Sequence, residues 1–190
     1  PLMKDRRQVH ALGQVFAHDI RAGGVHYATL PLMNGAPTAR CLILVTPDAQ
    51  RSMNTFLGAS QELSVKDIEP ETIRSSTVTY LEGYLFDPPP AREAFFAAAK
   101  LAHDAGRKIA FTLSDSFCVE RHRREMLEFI ARDVDILFAN ESEIVALTAT
   151  RGFDEAMHEI KGRCEIAALT RSERGSVVVS GAELHIIDPI

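Results

Sequence analysis

From about Thr77 onward the chain alternates short apolar runs with longer stretches of helical period, and few folds accommodate that pattern. Val78 to Leu81, Lys108 to Leu113 and Val134 to Ala139 are too short for helices and read as buried parallel strands. Between the first two, Ala91, Ala94, Phe95, Ala98, Leu101, Ala102 and Ala105 fall along one helical stripe. Gly106 stands where a helix end is expected. Ser116 is placed to cap a second helix, with Val119, Met126, Leu127 and Ile130 facing inward. Ile144, Val145 and Leu147 continue a third helix, and Phe153 to Ile160 forms a fourth. Closely spaced strands follow at Ile166 to Thr170, Ser176 to Val179 and Leu184 to Ile187. This order predicts an α/β fold: a doubly wound, mostly parallel sheet flanked by helices, with an antiparallel margin.

The texture differs between about Gly24 and Leu57. His26 to Leu30, Arg40 to Thr46 and Ser52 to Phe56 read as strands, with Asn34–Pro37 and Pro47–Gln50 as the turns between them. A hairpin-rich piece of this size cannot build a large core alone, so it has to lie against or cover something. The expected division is a β-rich piece at 24–57 and an α/β domain formed by 1–23 and 58–190.

With 190 residues, of which 46% are hydrophobic, the chain has enough apolar material for a core. Its net charge of −5 points away from a nucleic-acid partner. Arg121, Arg123 and Arg124 cluster, but Glu120 and Glu125 flank them, as on a solvated helix face. The sequence has neither an apolar stretch of bilayer length nor a signal-peptide pattern, so a cytoplasmic protein without a membrane partner is expected. Cys41, Cys118 and Cys164 are widely spaced and read as free thiols, and the scattered histidines form no close zinc-ligand set.

The chemistry gathers at Asn140. The apolar run from Val134 ends there, and Glu143 follows where a helix should begin. An amide and a carboxylate therefore stand together at the carboxyl end of a parallel strand, the edge at which open α/β sheets bind ligands. The same spacing fits a capping box. The two roles are compatible, because a helix start also favours anions.

Four segments, in order, resemble the PfkB (ribokinase-like) kinases, most closely their adenosine-kinase-like branch. Pro37-Thr-Ala-Arg40-Cys41, leading into Asp48-Ala-Gln-Arg51-Ser-Met-Asn54-Thr, is similar to the family's lid strands. Thr79-Tyr-Leu-Glu-Gly83-Tyr84 resembles the strand end that meets nucleoside or sugar. Asn140-Glu-Ser-Glu143 matches the Asn-x-x-Glu motif. Thr170-Arg-Ser-Glu-Arg-Gly175 resembles the nucleotide-binding turn. The resemblance runs from about Leu12 to the end of the chain.

It implies ATP and Mg2+ as cofactors, with Glu143 organising the metal through water and Asn140, Thr170, Ser172 and Gly175 on the nucleotide side. Tyr84, Arg40 and Asn54 become substrate-side residues. Read from the residues alone, Thr170–Gly175 is equally an ordinary turn, Tyr84 and Phe86 are plain sheet residues, and Arg40 and Arg51 are solvated. Ser172 stands where the family has glycine, which removes backbone freedom, and Asp115 reads as a structural helix cap.

Two family segments do not occur in this sequence: the glycine-glycine-asparagine grip on the sugar, and Gly-Ala-Gly-Asp, which carries the anion hole and catalytic base. Pro1 to Gln8 does not resemble the family's first strands. The chain accordingly reads as the central part of a ribokinase-like kinase with its β lid, incomplete as given and inactive alone. The implied reaction is phosphorylation of a hydroxymethyl group on a nucleoside or sugar. The alternatives are a kinase for ribose, fructose or a keto-sugar acid, and a split or degenerate kinase fold acting as a binding module. The resemblance also allows a homodimer through the lid strands.

Overall fold

A computed structural model describes residues 11–189, which fall into two compact units that divide between Leu63 and Ser64. The expectation about Pro1 to Gln8 lies outside the described residues.

In the first unit, helix α1 (Ala11–Ala22) is followed by a two-stranded antiparallel sheet, β1 (Arg40–Val45) and β2 (Arg51–Phe56). Arg40 opposes Phe56 and Leu42 opposes Asn54. The hairpin leaves Leu42, Leu44 and Met53 well exposed. His26 to Leu30, expected as a strand, is not one. Among the described residues no strand pairs with it, so its backbone forms no ladder; the Arg21 guanidinium instead donates to the Tyr27 carbonyl.

The second unit holds a six-stranded sheet in the order β3 (Val78–Glu82), β4 (Lys108–Thr112), β5 (Ile136–Asn140), β6 (Ile166–Thr170), β7 (Ser176–Ser180) and β8 (Glu183–Ile187). The pairings from β3 to β6 are parallel and the last two are antiparallel. The expected α/β architecture with an antiparallel margin is therefore present. Helices α2 (Pro70–Ser75), α3 (Pro89–Asp104), α4 (Ser116–Asp133), α5 (Glu141–Thr148) and α6 (Phe153–Ile160) complete the unit. In a sheet of sequential parallel strands, crossovers of one hand send α3, α4 and the α5–α6 pair to one face. Leu81, Leu137, Ala139, Leu169, Val177 and Val179 are buried on that side, whereas Tyr80 and Phe138 are exposed.

The core centres on Phe86, Phe95, Phe111 and Phe129. Phe95 and Phe129 lie 4.6 Å apart between ring centroids, and Phe111 meets Phe129 edge to face. Small residues make this possible: Ala91, Ala94, Ala98 and Ala102 let α3 lie close to the sheet. Among the described residues no helix is long and apolar enough to cross a membrane.

Candidate functional site

The parallel strands β3 to β6 end at Glu82, Thr112, Asn140 and Thr170 along one edge. Register places Asn140 directly opposite Thr170. Asn140 closes β5 and caps α5, and its side chain and that of Glu143 clamp each other. The Glu143 N–H donates to Asn140 Oδ1 at 2.9 Å. In return the Glu143 carboxylate accepts from the Asn140 backbone N–H at 2.9 Å and from its Nδ2 at 2.7 Å. Glu143 is 7% exposed, one of only two buried polar or charged residues among those described. Burial pushes its carboxyl above the ordinary range; the Asn140 N–H bond opposes that shift, and the nearby Asp115 charge adds to it.

A buried, rigid carboxylate whose two oxygens each accept one N–H still has lone pairs to offer. Magnesium takes oxygen ligands and keeps several of its waters, so this donor set fits a water-mediated metal contact. It also forms a complete capping box, so the geometry serves both readings.

Beside it, the β6–β7 turn is closed by Arg171 N–H donating to the Gly175 carbonyl and Gly175 N–H donating to the Ser172 carbonyl. Ser172 adopts φ +52° and Gly175 φ +73°. Ser172, which stands where the family has glycine, takes the left-handed conformation itself, at the steric cost its Cβ carries there. Gly175 is required on separate grounds, since a Cβ there would stand 2.0 Å from the Ile187 carbonyl oxygen. Glu141, the first residue of α5, accepts hydrogen bonds from Arg171 Nε at 3.3 Å and from Arg174. Desolvation pushes the Glu141 carboxyl up, but the two guanidinium groups outweigh it, and the group stands below its ordinary range. The Arg171 guanidinium also lies 4.2 Å from the Phe153 ring centre, which ties the turn to α6.

Tyr84 and Phe86, read above as sheet residues, lie beyond the end of β3 in the 3-10 turn Gly83–Phe86. The chain leaves the sheet at Gly83 because its backbone is pressed against β4's exit; a Cβ there would meet the Leu113 carbonyl oxygen at 2.4 Å. Phe86 turns into the core and Tyr84 remains half exposed. Burial pushes the Tyr84 phenol up, followed by the charges of Asp115 and Glu82 and then those of Cys118 and Glu143. Tyr84 therefore shares the field of the carboxylates along this edge.

The α4 cap is Asp115, not Ser116: its carboxylate accepts from the N–H groups of Phe117 at 2.8 Å and Cys118 at 3.1 Å. Ser116 is already the first helical residue. Ser114, which the sequence did not single out, has φ +69° and a buried hydroxyl with no hydrogen-bond partner. Non-glycine residues held in this region cluster at ligand sites. No periodicity or motif marks it; only the bend between Leu113 and Asp115 does.

Asn140, Glu143, Thr170, Ser172 and Gly175 are thus neighbours along one edge and its adjoining turn. Arg40 and Asn54 belong to the first unit, where Arg40 lies over the Phe56 ring at 5.1 Å and Asn54 is exposed on β2.

A mixed sheet with helices on its face and this edge define a ribokinase-fold protein. The profile of the pfkB family of carbohydrate kinases matches residues 10–190, and the chain belongs to that family. It is similar to a Dictyostelium discoideum protein named adenosine kinase, at 26% identity over 150 residues, which cover 77% of this chain and 43% of that one. The solved adenosine kinase of Sinorhizobium meliloti is 52% identical with a TM-score of 0.90, over 95% of this chain and 55% of that one. A probable sugar kinase protein from Rhizobium etli CFN 42 is 49% identical with a TM-score of 0.91, over 96% of this chain and 56% of that one. The chain thus spans about half the length of these relatives.

Proposed function

We propose that the protein to which this chain belongs transfers the γ-phosphoryl group of ATP, with Mg2+, to a hydroxymethyl group of an adenosine-like nucleoside. A P–O bond to the departing ADP breaks, one to the acceptor oxygen forms, and the hydroxyl proton passes to a base. Catalysis of this kind is mainly positioning and charge neutralisation. Glu143 would orient water around the metal, Asn140 the adjoining phosphate or water, and the Thr170–Gly175 turn the nucleotide, with Tyr84 as a wall for the acceptor. On this reading Arg40 and Asn54 of the β1–β2 hairpin are further acceptor-side residues. The observation that carries the proposal is the clamp between exposed Asn140 and buried Glu143, set opposite Thr170 at the sheet's carboxyl edge. The choice of a nucleoside rests on the 52% identity to a protein named adenosine kinase.

This sequence contains no Gly-Ala-Gly-Asp, so on this reading the 190 residues alone do not turn over. The test is ADP release by the intact protein given Mg-ATP with adenosine, ribose or fructose. Adenosine is expected to be the preferred acceptor. A sugar outperforming it would establish the second reading, which the 49% identity to a probable sugar kinase supports. Magnesium-independent release, or none with any acceptor, would remove the proposal.

A further inference from the structure

Beneath the Gly83–Phe86 turn lies a group of side chains that the kinase reading does not use. Asp87 follows the turn directly, and Cys118 and His122 stand one helical turn apart on α4. One ligand atom from each of Asp87, Cys118 and His122 lies within 4.8 Å of the other two. α4 departs from helical geometry at His122, with φ −118° and ψ 16°, and His122 Nε2 lies 2.8 Å from Asp87 Oδ1. An Asp87–Arg121–His122 ion-pair network accounts for the charged members. That network leaves the fully buried Cys118 thiol facing these charged groups, with its S–H donating to the Gly83 carbonyl at 3.4 Å.

We propose that Asp87, Cys118 and His122 form a binding site for a borderline-soft divalent cation of the zinc class, with one carboxylate, one thiolate and one imidazole ligand. The ligand types match those zinc takes, and three protein ligands leave the fourth tetrahedral position to water. Ligand bonds of about 2.0–2.3 Å require donor separations of roughly 3.4–3.6 Å. The Asp87–His122 gap of 2.8 Å therefore opens by about half an ångström, and the sulfur closes by about 1.4 Å at most.

Arg121 does not block the arrangement. Its Nη2 donates to Asp87 Oδ2 at 2.7 Å, which leaves Oδ1 for the cation once the weaker 3.2 Å contact from Nε gives way. The guanidinium then holds the ligating carboxylate from outside, as supporting partners of metal ligands do. Uptake releases the thiol proton to solvent. The bound cation would tie the turn carrying Tyr84 to the first half of α4.

The test is Co2+ titration of the intact, chelator-treated protein, with Zn2+ as competitor. A thiolate-to-cobalt charge-transfer band that saturates at about one equivalent and is displaced by Zn2+ is expected. Cys118→Ser should abolish it, while Cys41→Ser and Cys164→Ser leave it unchanged. His122→Gln, a change of similar size, should weaken Co2+ binding by more than about tenfold, at least the loss that follows removal of a supporting partner. No band, a band that survives Cys118→Ser, or unchanged affinity in His122→Gln would overturn the site. If Cys118→Ser fails to fold, His122→Gln decides alone. None of these readouts depends on kinase activity.

Discussion

Replacing Glu143 separates its role in holding α5 from its proposed role near magnesium. Glu143→Ala removes the acceptor for two N–H groups, at 2.9 and 2.7 Å. The Asn140 cap itself survives, because the backbone N–H at position 143 still donates to Asn140 Oδ1. A donor left without a partner costs about 1–3 kcal/mol when water cannot reach it. Asn140 is exposed and water recovers part of that loss, so the expected total is about 2 kcal/mol. Glu143→Gln keeps the shape and one acceptor oxygen but turns an NH2 toward the second donor, for a loss of about 1 kcal/mol. Urea unfolding of the intact protein, followed by far-ultraviolet circular dichroism, measures both.

The same unfolding with Mg-ATP at a hundredfold excess over its dissociation constant should stabilise the parent by about 2.7 kcal/mol. Glu143→Gln should lose most of that gain. The pH dependence has a definite sign. The folded carboxyl is held above its ordinary range, so its contribution is present below that range and fades as pH rises through the raised value. The penalty of Glu143→Gln should thus be smaller at pH 7 than near pH 4. Full magnesium-dependent protection in the glutamine variant would refute the metal role. An alanine variant within about 0.5 kcal/mol of the parent would refute the accounting for the two lost acceptor contacts.

The β6–β7 turn should respond very unequally to two substitutions. Gly175→Ala meets the Ile187 carbonyl and a positive φ, and should cost about 3 kcal/mol or more. Ser172→Gly relieves φ +52° at an entropic cost of similar size and should change stability by less than about 1 kcal/mol. Thermal melts of the two variants check both. Phe129→Ala, which opens the centre of the aromatic cluster, should destabilise by about 3–5 kcal/mol in urea unfolding. Glu141 has a lowered pKa, so its contribution is present above the ordinary carboxylate range and is lost as pH falls through the folded value. Melts from pH 7 downward should therefore show a shallower acid loss for Glu141→Gln than for the parent.

The amino-acid sequence by itself determined the alternation of elements. Phe153–Ile160 and Ile166–Thr170 have the boundaries expected from their pattern, because period and turn residues are local properties. The Asn140–Glu143 pairing was equally legible, since a capping box is defined by three residues of spacing. The tertiary structure alone decided the rest. His26 to Leu30 has strand character but no partner, and a strand exists only where a second one accepts its hydrogen bonds. Tyr84 and Phe86 left the sheet because Gly83 passes against the Leu113 carbonyl, a contact made thirty residues along the chain. The left-handed backbone of Ser114 and Ser172 carries no residue-type signal, because serine ordinarily avoids it. The meeting of Asp87 with Cys118 and His122 depends on packing the Gly83–Phe86 turn against α4. Spacing along one chain cannot encode a distance between two segments; only their packing sets it.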